Sequence, residues 1–234
     1  MFSIIIPVLN EENKIERTIK QFTSIKTKYN IEIIVSDSGS IDNTVDIAEK
    51  YSDKVVLYPG DNCNISKARN YGAKYAKNEI LVFLDADILI NNINQFFEII
   101  INTIKRKNIT AISPKITIYP KEETGIDKGI HFIITLISNI VNGIGFSYSR
   151  GGCQIILKKN FNKINGYNEK FIAAEDVDIF RRLRRFGKTM IINKLHVFES
   201  PRRYRKEGYP TVLYFWFMNW IYTLFFNKSF STKW

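Results

Sequence analysis

Five stretches of the chain carry side chains able to do chemistry. Asp85 and Asp87 stand two residues apart directly after the apolar run Ile80-Leu81-Val82-Phe83-Leu84. Carboxylates at the end of a buried strand are costly unless a cation meets them, and a hard divalent ion carrying the phosphates of a nucleotide is the usual partner. The pair is therefore a candidate metal-diphosphate site, although Asp-x-Asp after an apolar run also fits a solvated strand end or a helix cap. Asp37 lies in Ser36-Asp37-Ser38-Gly39-Ser40, where short side chains let a base or ribose come close and a carboxylate accepts hydrogen bonds from ring N–H or sugar hydroxyl groups. An ordinary turn, with Asp42 capping the next helix, is the plainer reading of the same loop. Glu175, Asp176 and Asp178 open a helix, where they complement its dipole whatever else they do. Arg69 is a candidate partner for a base or a phosphate, and Arg202, Arg203, Arg205 and Lys206 form a basic loop suited to phosphate.

Those side chains need a frame that brings them together. Apolar runs at 3–8, 31–35, 54–58 and 80–84 read as strands, and the amphipathic stretches 11–28, 43–51 and 65–76 between them read as helices. That alternation predicts a parallel sheet covered on both faces, an α/β fold. Parallel strands share an end, so the Asp37 loop and the Asp85/Asp87 loop should leave the sheet at one rim, the rim where open α/β sheets bind ligands. Further on, 92–106 reads as a core helix, 109–118 and 154–157 as strands, and 174–186 as a helix opened by the acids.

Two later segments are apolar over too wide an arc for ordinary surface helices. In 128–142 His131, Thr135, Asn139 and Asn142 fall along one narrow polar face and nearly everything else is Ile, Leu, Val or Phe, so His131 is expected to be a solvated histidine on that face. The segment 212–226 is dense in aromatic residues and follows the basic loop. At about 15 residues it falls short of the ~20 that span a bilayer. It fits a helix lying among lipid headgroups, or a core or dimer helix.

The charge is lopsided. Acids and bases balance over residues 1–149, whereas residues 150–234 hold 17 Lys and Arg against 6 Asp and Glu, so the net +11 belongs to the last third. Such a block attracts anionic membranes and phosphorylated substrates. Nucleic acid is not expected, because the aromatics cluster in apolar runs instead of interleaving with the bases. Cys63 and Cys153 have no metal-ligand spacing and suit a reducing cytoplasm, with a disulfide between them left open. The first strand starts within three residues, without the basic flank and apolar core of a signal peptide, so a cytoplasmic location is expected, with peripheral contact on the inner face of the membrane as its variant.

Taken in order, the stretches resemble the inverting family 2 glycosyltransferases of the GT-A fold. The carriers are Ile4-Ile5-Ile6-Pro7-Val8-Leu9-Asn10-Glu11-Glu12, Ser36 to Ser40 with Asp42 and Thr44, Ala68-Arg69-Asn70-Tyr71-Gly72, Leu84 to Asp87, Ile164 to Glu169, and Glu175-Asp176. Each is loose alone; six in order are specific. The resemblance implies a Rossmann-like, mostly parallel sheet flanked by helices over 1–206, with a nucleotide-binding half at 1–90, an acceptor half at 91–206, and an apolar C-terminal helix in 207–234. It implies a nucleotide-sugar donor and Mg²⁺ or Mn²⁺. Pro7, Asn10 and Glu11 would frame the nucleoside, Asp37 would contact the base with Arg69 beside it, Asp85 would face ribose or metal, and Asp87 would hold the metal. Asp176 would be the general base with Glu175 as its neighbour, and Arg202 and Arg203 would meet phosphates.

The chain departs from the pattern twice. Ser38 stands where many members have a second acid, and no Gln-x-x-Arg-Trp motif follows the Glu-Asp pair, which argues against processive chain extension. The basic and apolar C-terminal third favours a lipid-linked or membrane-proximal acceptor. The alternatives are a soluble enzyme that dimerises through the last helix and acts on protein or small-molecule hydroxyls, and a non-catalytic nucleotide-sugar-binding protein of the same fold.

Overall fold

The structure is a computed structural model that describes residues 1–106 and 108–231. In chain order its elements are β1 (Phe2–Val8), α1 (Glu12–Lys20), α2 (Lys26–Tyr29), β2 (Ile31–Asp37), α3 (Thr44–Tyr51), β3 (Lys54–Leu57), α4 (Ile65–Lys74), β4 (Ile80–Leu84), β5 (Leu89–Ile90) and α5 (Ile93–Ile104). They continue as β6 (Ile109–Ile118), α6 (Gly125–Gly143), β7 (Cys153–Leu157), α7 (Lys158–Lys163), α8 (Glu175–Leu183), β8 (Lys188–Glu199), α9 (Arg202–Glu207) and α10 (Tyr209–Phe226).

The strands form one eight-stranded sheet in the order β3-β2-β1-β4-β7-β6-β8-β5. β1 is parallel to β2 and β4, and β2 to β3, as the strand-helix alternation predicts. β7 enters antiparallel between β4 and β6, while β6 and β8 pair parallel, so the sheet is mixed with a parallel majority of pairings. Every residue of β1 and β4 is buried. Side chains alternate across the sheet, so Ile4, Ile6, Val82 and Leu84 meet Ile15, Ile19, Phe22 and Phe97 on one face, and Ile5, Leu81 and Phe83 meet Phe161, Phe180 and Leu183 on the other. Each such Ile, Leu or Phe contributes roughly 1.5–3 kcal/mol on burial, which fixes the strand ends firmly enough to carry a site.

Register sets where the acids emerge. Val8 pairs with Asp37 and Ile5 with Phe83, so Asp37 and Asp85 leave at the same rim with β1 between them, roughly 10 Å apart at two strand spacings.

Three expectations are corrected. The stretch 11–28 is not one helix: α1 stops at Lys20, a single 3₁₀ turn spans Thr23–Ile25, and α2 follows. The Gln21 side chain at the helix end bonds the backbone of Ile88 and Ile90 at 3.1 and 2.9 Å, and the Thr and Ser that follow propagate a helix poorly. Residues 202–206 are not a loop but the helix α9. His131 is not solvated; it is 1% exposed, because α6 sits with its polar stripe inward. That stripe finds partners inside: Asp127 takes Arg205 at 2.9 Å and the Tyr209 hydroxyl, and His131 Nδ1 lies 3.2 Å from the Ile116 carbonyl. Both cysteines are free. Tyr209–Phe226 form the helix α10, and no helix among the described residues is long and apolar enough to cross a membrane.

Candidate active site

The site is assembled where β4 hands over to β7. Asp85 N–H donates to the Gly152 carbonyl at 3.0 Å, continuing the β4–β7 ladder past Leu84 and drawing Arg150-Gly151-Gly152 against the Asp85 turn. The backbone passes close to the charged groups: a Cβ on Gly151 would be in ordinary contact with an Arg69 nitrogen and a Glu175 oxygen at 3.5 Å and with Asp176 Oδ2 at 3.6 Å. From the far side comes α8. The residue before it, Ala174, has φ of 61°, a strained value for a residue with a side chain, and directly after it come Glu175 and Asp176.

Arg69, projecting from α4, ties these pieces together. It is 1% exposed, and its guanidinium donates to Glu175 Oε1 at 2.7 Å, to Asp85 Oδ1 at 2.8 Å and to the Gly151 carbonyl at 2.9 Å. Arg69 is thus a buried cation between two acids. Burial opposes its charge, but Asp85, Tyr167 and Glu175 more than offset that and hold it protonated at any working pH.

A cavity of about 580 Å³ opens over this cluster, within the range of small-molecule sites. Its polar wall holds Arg69, Asp85, Asp87, Glu175 and Asp176, and α10 supplies an apolar wall of Val212, Phe215 and Trp216. Arg203 also lines it, 4.0 Å from Glu207 on the same helix. The electrostatics are those of a site with spare negative charge. Burial, reinforced by Asp85 and Glu199, pushes the Asp87 carboxyl up to about 7. Burial and then Glu175 push Asp176 up to about 8, and burial raises Glu175 itself. One oxygen of Glu175 is buried without a hydrogen-bond partner.

The remaining residues singled out from sequence lie on the adjoining loops. Asn10 and Glu11 lace the loop after β1 to the loop after β2: Asn10 N–H donates to Ser40 Oγ at 2.9 Å, Ile41 N–H to Asn10 Oδ1 at 2.9 Å, and Glu11 N–H to Thr44 Oγ1 at 2.8 Å. Pro7 is buried within β1 opposite Ser36. Asp37 Oδ2 accepts from the N–H groups of Gly39 and Ser40 at 2.8 and 3.0 Å, which leaves Oδ1 buried and unpartnered. Asp42 ties down the start of α3 through Thr44 N–H at 3.0 Å, as the capping reading expects. Arg202 reaches across from α9 to Glu11 at 2.7 Å. Of the residues singled out from sequence, Arg69, Asp85, Asp87, Glu175, Asp176 and Arg203 share the cavity. Pro7, Asn10, Glu11, Asp37 and Arg202 belong to the neighbouring rim instead.

Sequence reading missed Arg150 and Glu199. Arg150 is bonded to Glu199, to the Tyr204 hydroxyl at 3.0 Å and to the Ile116 carbonyl at 3.0 Å, and it lies over the Trp216 ring. Both line the cavity. The available signal was an arginine ahead of two glycines and a lone acid closing an otherwise acid-free strand.

As to a metal, no cluster of three or more His, Cys, Asp or Glu side chains is disposed around one point among the described residues. The oxygen-only set of Asp87 and Asp85, whose Oδ1 is already committed to Arg69, suits a hard cation that draws its remaining ligands from phosphate and water. The excess of buried negative charge at Asp87 is what such a cation would relieve.

The family model described as Glycosyl transferase family 2 matches residues 3–176. The minor teichoic acid biosynthesis protein GgaA of Bacillus subtilis is 27% identical over 99% of this chain, which spans 53% of that protein's length. Among solved structures, the mannosyltransferase PcManGT of Pyrobaculum calidifontis, in complex with GDP-Man and Mn²⁺, superposes with a TM-score of 0.69 at 15% identity, over 85% of this chain and 56% of that one. TarS 1-349 of S. aureus, in complex with UDP-GlcNAc, gives 0.65 at 17% identity, over 85% and 58%. These structural matches establish the GT-A fold, and the family match extends over most of the chain: it belongs to glycosyl transferase family 2.

Proposed function

We propose that the chain is an inverting glycosyltransferase that moves a sugar from a nucleotide-sugar donor to a membrane-proximal acceptor, with residues 1–90 serving the donor and 91–206 the acceptor. The observation that carries this reading is the gathering of Asp85, Asp87, Glu175 and Asp176 in one cavity beside the Asp37 loop. In the proposed reaction the acceptor oxygen forms a bond to the anomeric carbon while the bond from that carbon to the diphosphate breaks. The acceptor proton passes to Asp176, whose raised pKa of about 8 makes it an effective base near neutral pH. A Mg²⁺ or Mn²⁺ ion held by Asp87, with Asp85, would stabilise charge on the departing diphosphate. Asp37 Oδ1 is assigned to a ring N–H of the base, Asn10 and Glu11 to the nucleoside rim, and Arg202 and Arg203 to the phosphates.

Two features support a membrane-proximal acceptor over a free one: the positive excess in residues 150–234, and the use of α10 as both cavity wall and exposed aromatic helix. GgaA acts, by its name, in teichoic acid biosynthesis, which is compatible with an acceptor of that kind. A thermal-shift screen of UDP, GDP and TDP with Mn²⁺, followed by nucleoside diphosphate release from the matching sugar donors, tests the reading. One nucleotide should raise Tm and its sugar donor should be consumed. If no nucleotide does so, the site is not a donor site.

A further inference from the structure

α6 is built inside out. Its buried side carries Asp127, His131 and Ser138, at 0, 1 and 4% exposure, while Ile126, Ile133, Leu136, Ile137, Ile140 and Ile144 stand 48 to 69% exposed. At 100° per residue these six fall within one arc that contains no charged or polar side chain. A water-facing helix has the opposite arrangement, so this face is made to be covered. At its N-terminal end it meets a groove lined by Ile126 and Ile130 of α6 and by Tyr209 and Leu213 of α10, with Arg205 at the rim. Beyond the groove, Tyr214, Phe217 and Phe225, which share the side of α10 opposite its buried Val212, Asn219 and Thr223, are again 54 to 74% exposed. The two apolar faces are thus continuous.

The surroundings indicate the occupant. Exposed Lys121 and Lys128 lie beside the start of α6, and exposed Lys194 follows Asn193, which Asn139 of α6 contacts at 3.3 Å; the nearby acids are Glu122 and Glu123. α10 adds Trp and Tyr side chains of the kind that settle among lipid headgroups. An anionic leaflet attracts such lysines at about 1 kcal/mol per side chain. We propose that the outward faces of α6 and α10 form one docking surface for an anionic lipid bilayer, seating the cavity mouth, which α10 also walls, at the membrane plane. This deepens the membrane-proximal reading above and rests on it for the choice of acceptor.

The test is flotation of the whole chain with phosphatidylcholine vesicles made with and without phosphatidylglycerol. Because the altered residues face solvent, Ile133→Glu/Ile137→Glu/Ile140→Glu should keep its urea midpoint and bind anionic vesicles about a hundredfold or more weakly. Lys128→Glu/Lys194→Glu should lose most of the preference for phosphatidylglycerol. A parent that ignores both vesicle types, or a triple variant that still floats, overturns the proposal. So does a parent that sediments as a dimer which the triple variant dissolves, since a second copy then covers the face. The nucleotide-dependent rise in Tm, measured on the same samples without lipid, reports the donor site separately, so a failure of docking and a failure of the glycosyltransferase reading are distinct results.

Discussion

Arg69 and Glu175, 106 residues apart in the chain, meet at 2.7 Å with 1 and 3% of their side chains exposed. This ion pair, extended to Asp85, joins α4 and the end of β4 to the helix that carries Asp176. Removing the cation strands two acids in a cavity wall. Arg69→Met should therefore cost about 3–5 kcal/mol in urea unfolding, and Arg69→Met/Glu175→Gln clearly less than the single variant. Equal losses would mean that the pair does not hold the site together.

Asp176→Asn should leave nucleotide binding intact and lower kcat by about 10²–10⁴-fold. In the parent, the base form accumulates as pH rises through about 8, so kcat/KM should climb over that interval and the variant's residual rate should not. An unchanged rate in the variant would point to an acceptor that is already anionic, such as a phosphate.

Asp87 makes metal-free stability depend on pH. Its folded pKa of about 7 lies above the ordinary 3.8, so the native state holds the proton more tightly and metal-free stability declines as pH rises from near 4 to 7. Asp87→Asn should therefore raise the metal-free Tm at pH 8 by removing a penalty of about 4 kcal/mol at most. Mn²⁺ with nucleotide should raise Tm in the parent and scarcely in the variant. Scanning calorimetry at pH 5 and 8 measures both.

Asp37→Asn keeps an oxygen for the Gly39 and Ser40 N–H groups but turns the unpartnered acceptor into a donor. Affinity for the preferred nucleotide should drop by about 1–3 kcal/mol, with the urea midpoint nearly unchanged. Calorimetric titration decides; equal affinity would remove Asp37 from base recognition.

His131 gives a pH signature far from the donor site. Burial, then the charge of Arg150, lowers its pKa from 6.5 to about 4, so the unfolded chain binds the extra proton between those values. Stability should fall as pH drops from 6.5 toward 4, by up to about 3 kcal/mol from this group. His131→Leu should flatten that part of the profile, as unfolding midpoints at pH 7 and 4.5 would register.

Much of this was legible in the chain itself. Apolar runs of five to seven residues, separated by amphipathic segments, dictate parallel strands, and parallel strands put Asp37 and Asp85 at one rim whatever the packing details, because the order β2-β1-β4 follows from short right-handed crossovers. Local order also identified Glu175 and Asp176 at a helix start.

Long-range partnership is what tertiary structure alone decided. Whether Arg69 meets a ligand or two acids depends on where α8 docks, 106 residues later, and no spacing rule encodes that. The orientation of α6 was equally hidden. Its sequence shows a narrow polar stripe and a wide apolar arc, and simple burial turns the apolar arc inward. Arg205, Tyr209 and the Ile116 carbonyl were waiting inside to satisfy Asp127 and His131, so buried hydrogen bonds and an ion pair set the rotation and left isoleucines facing out.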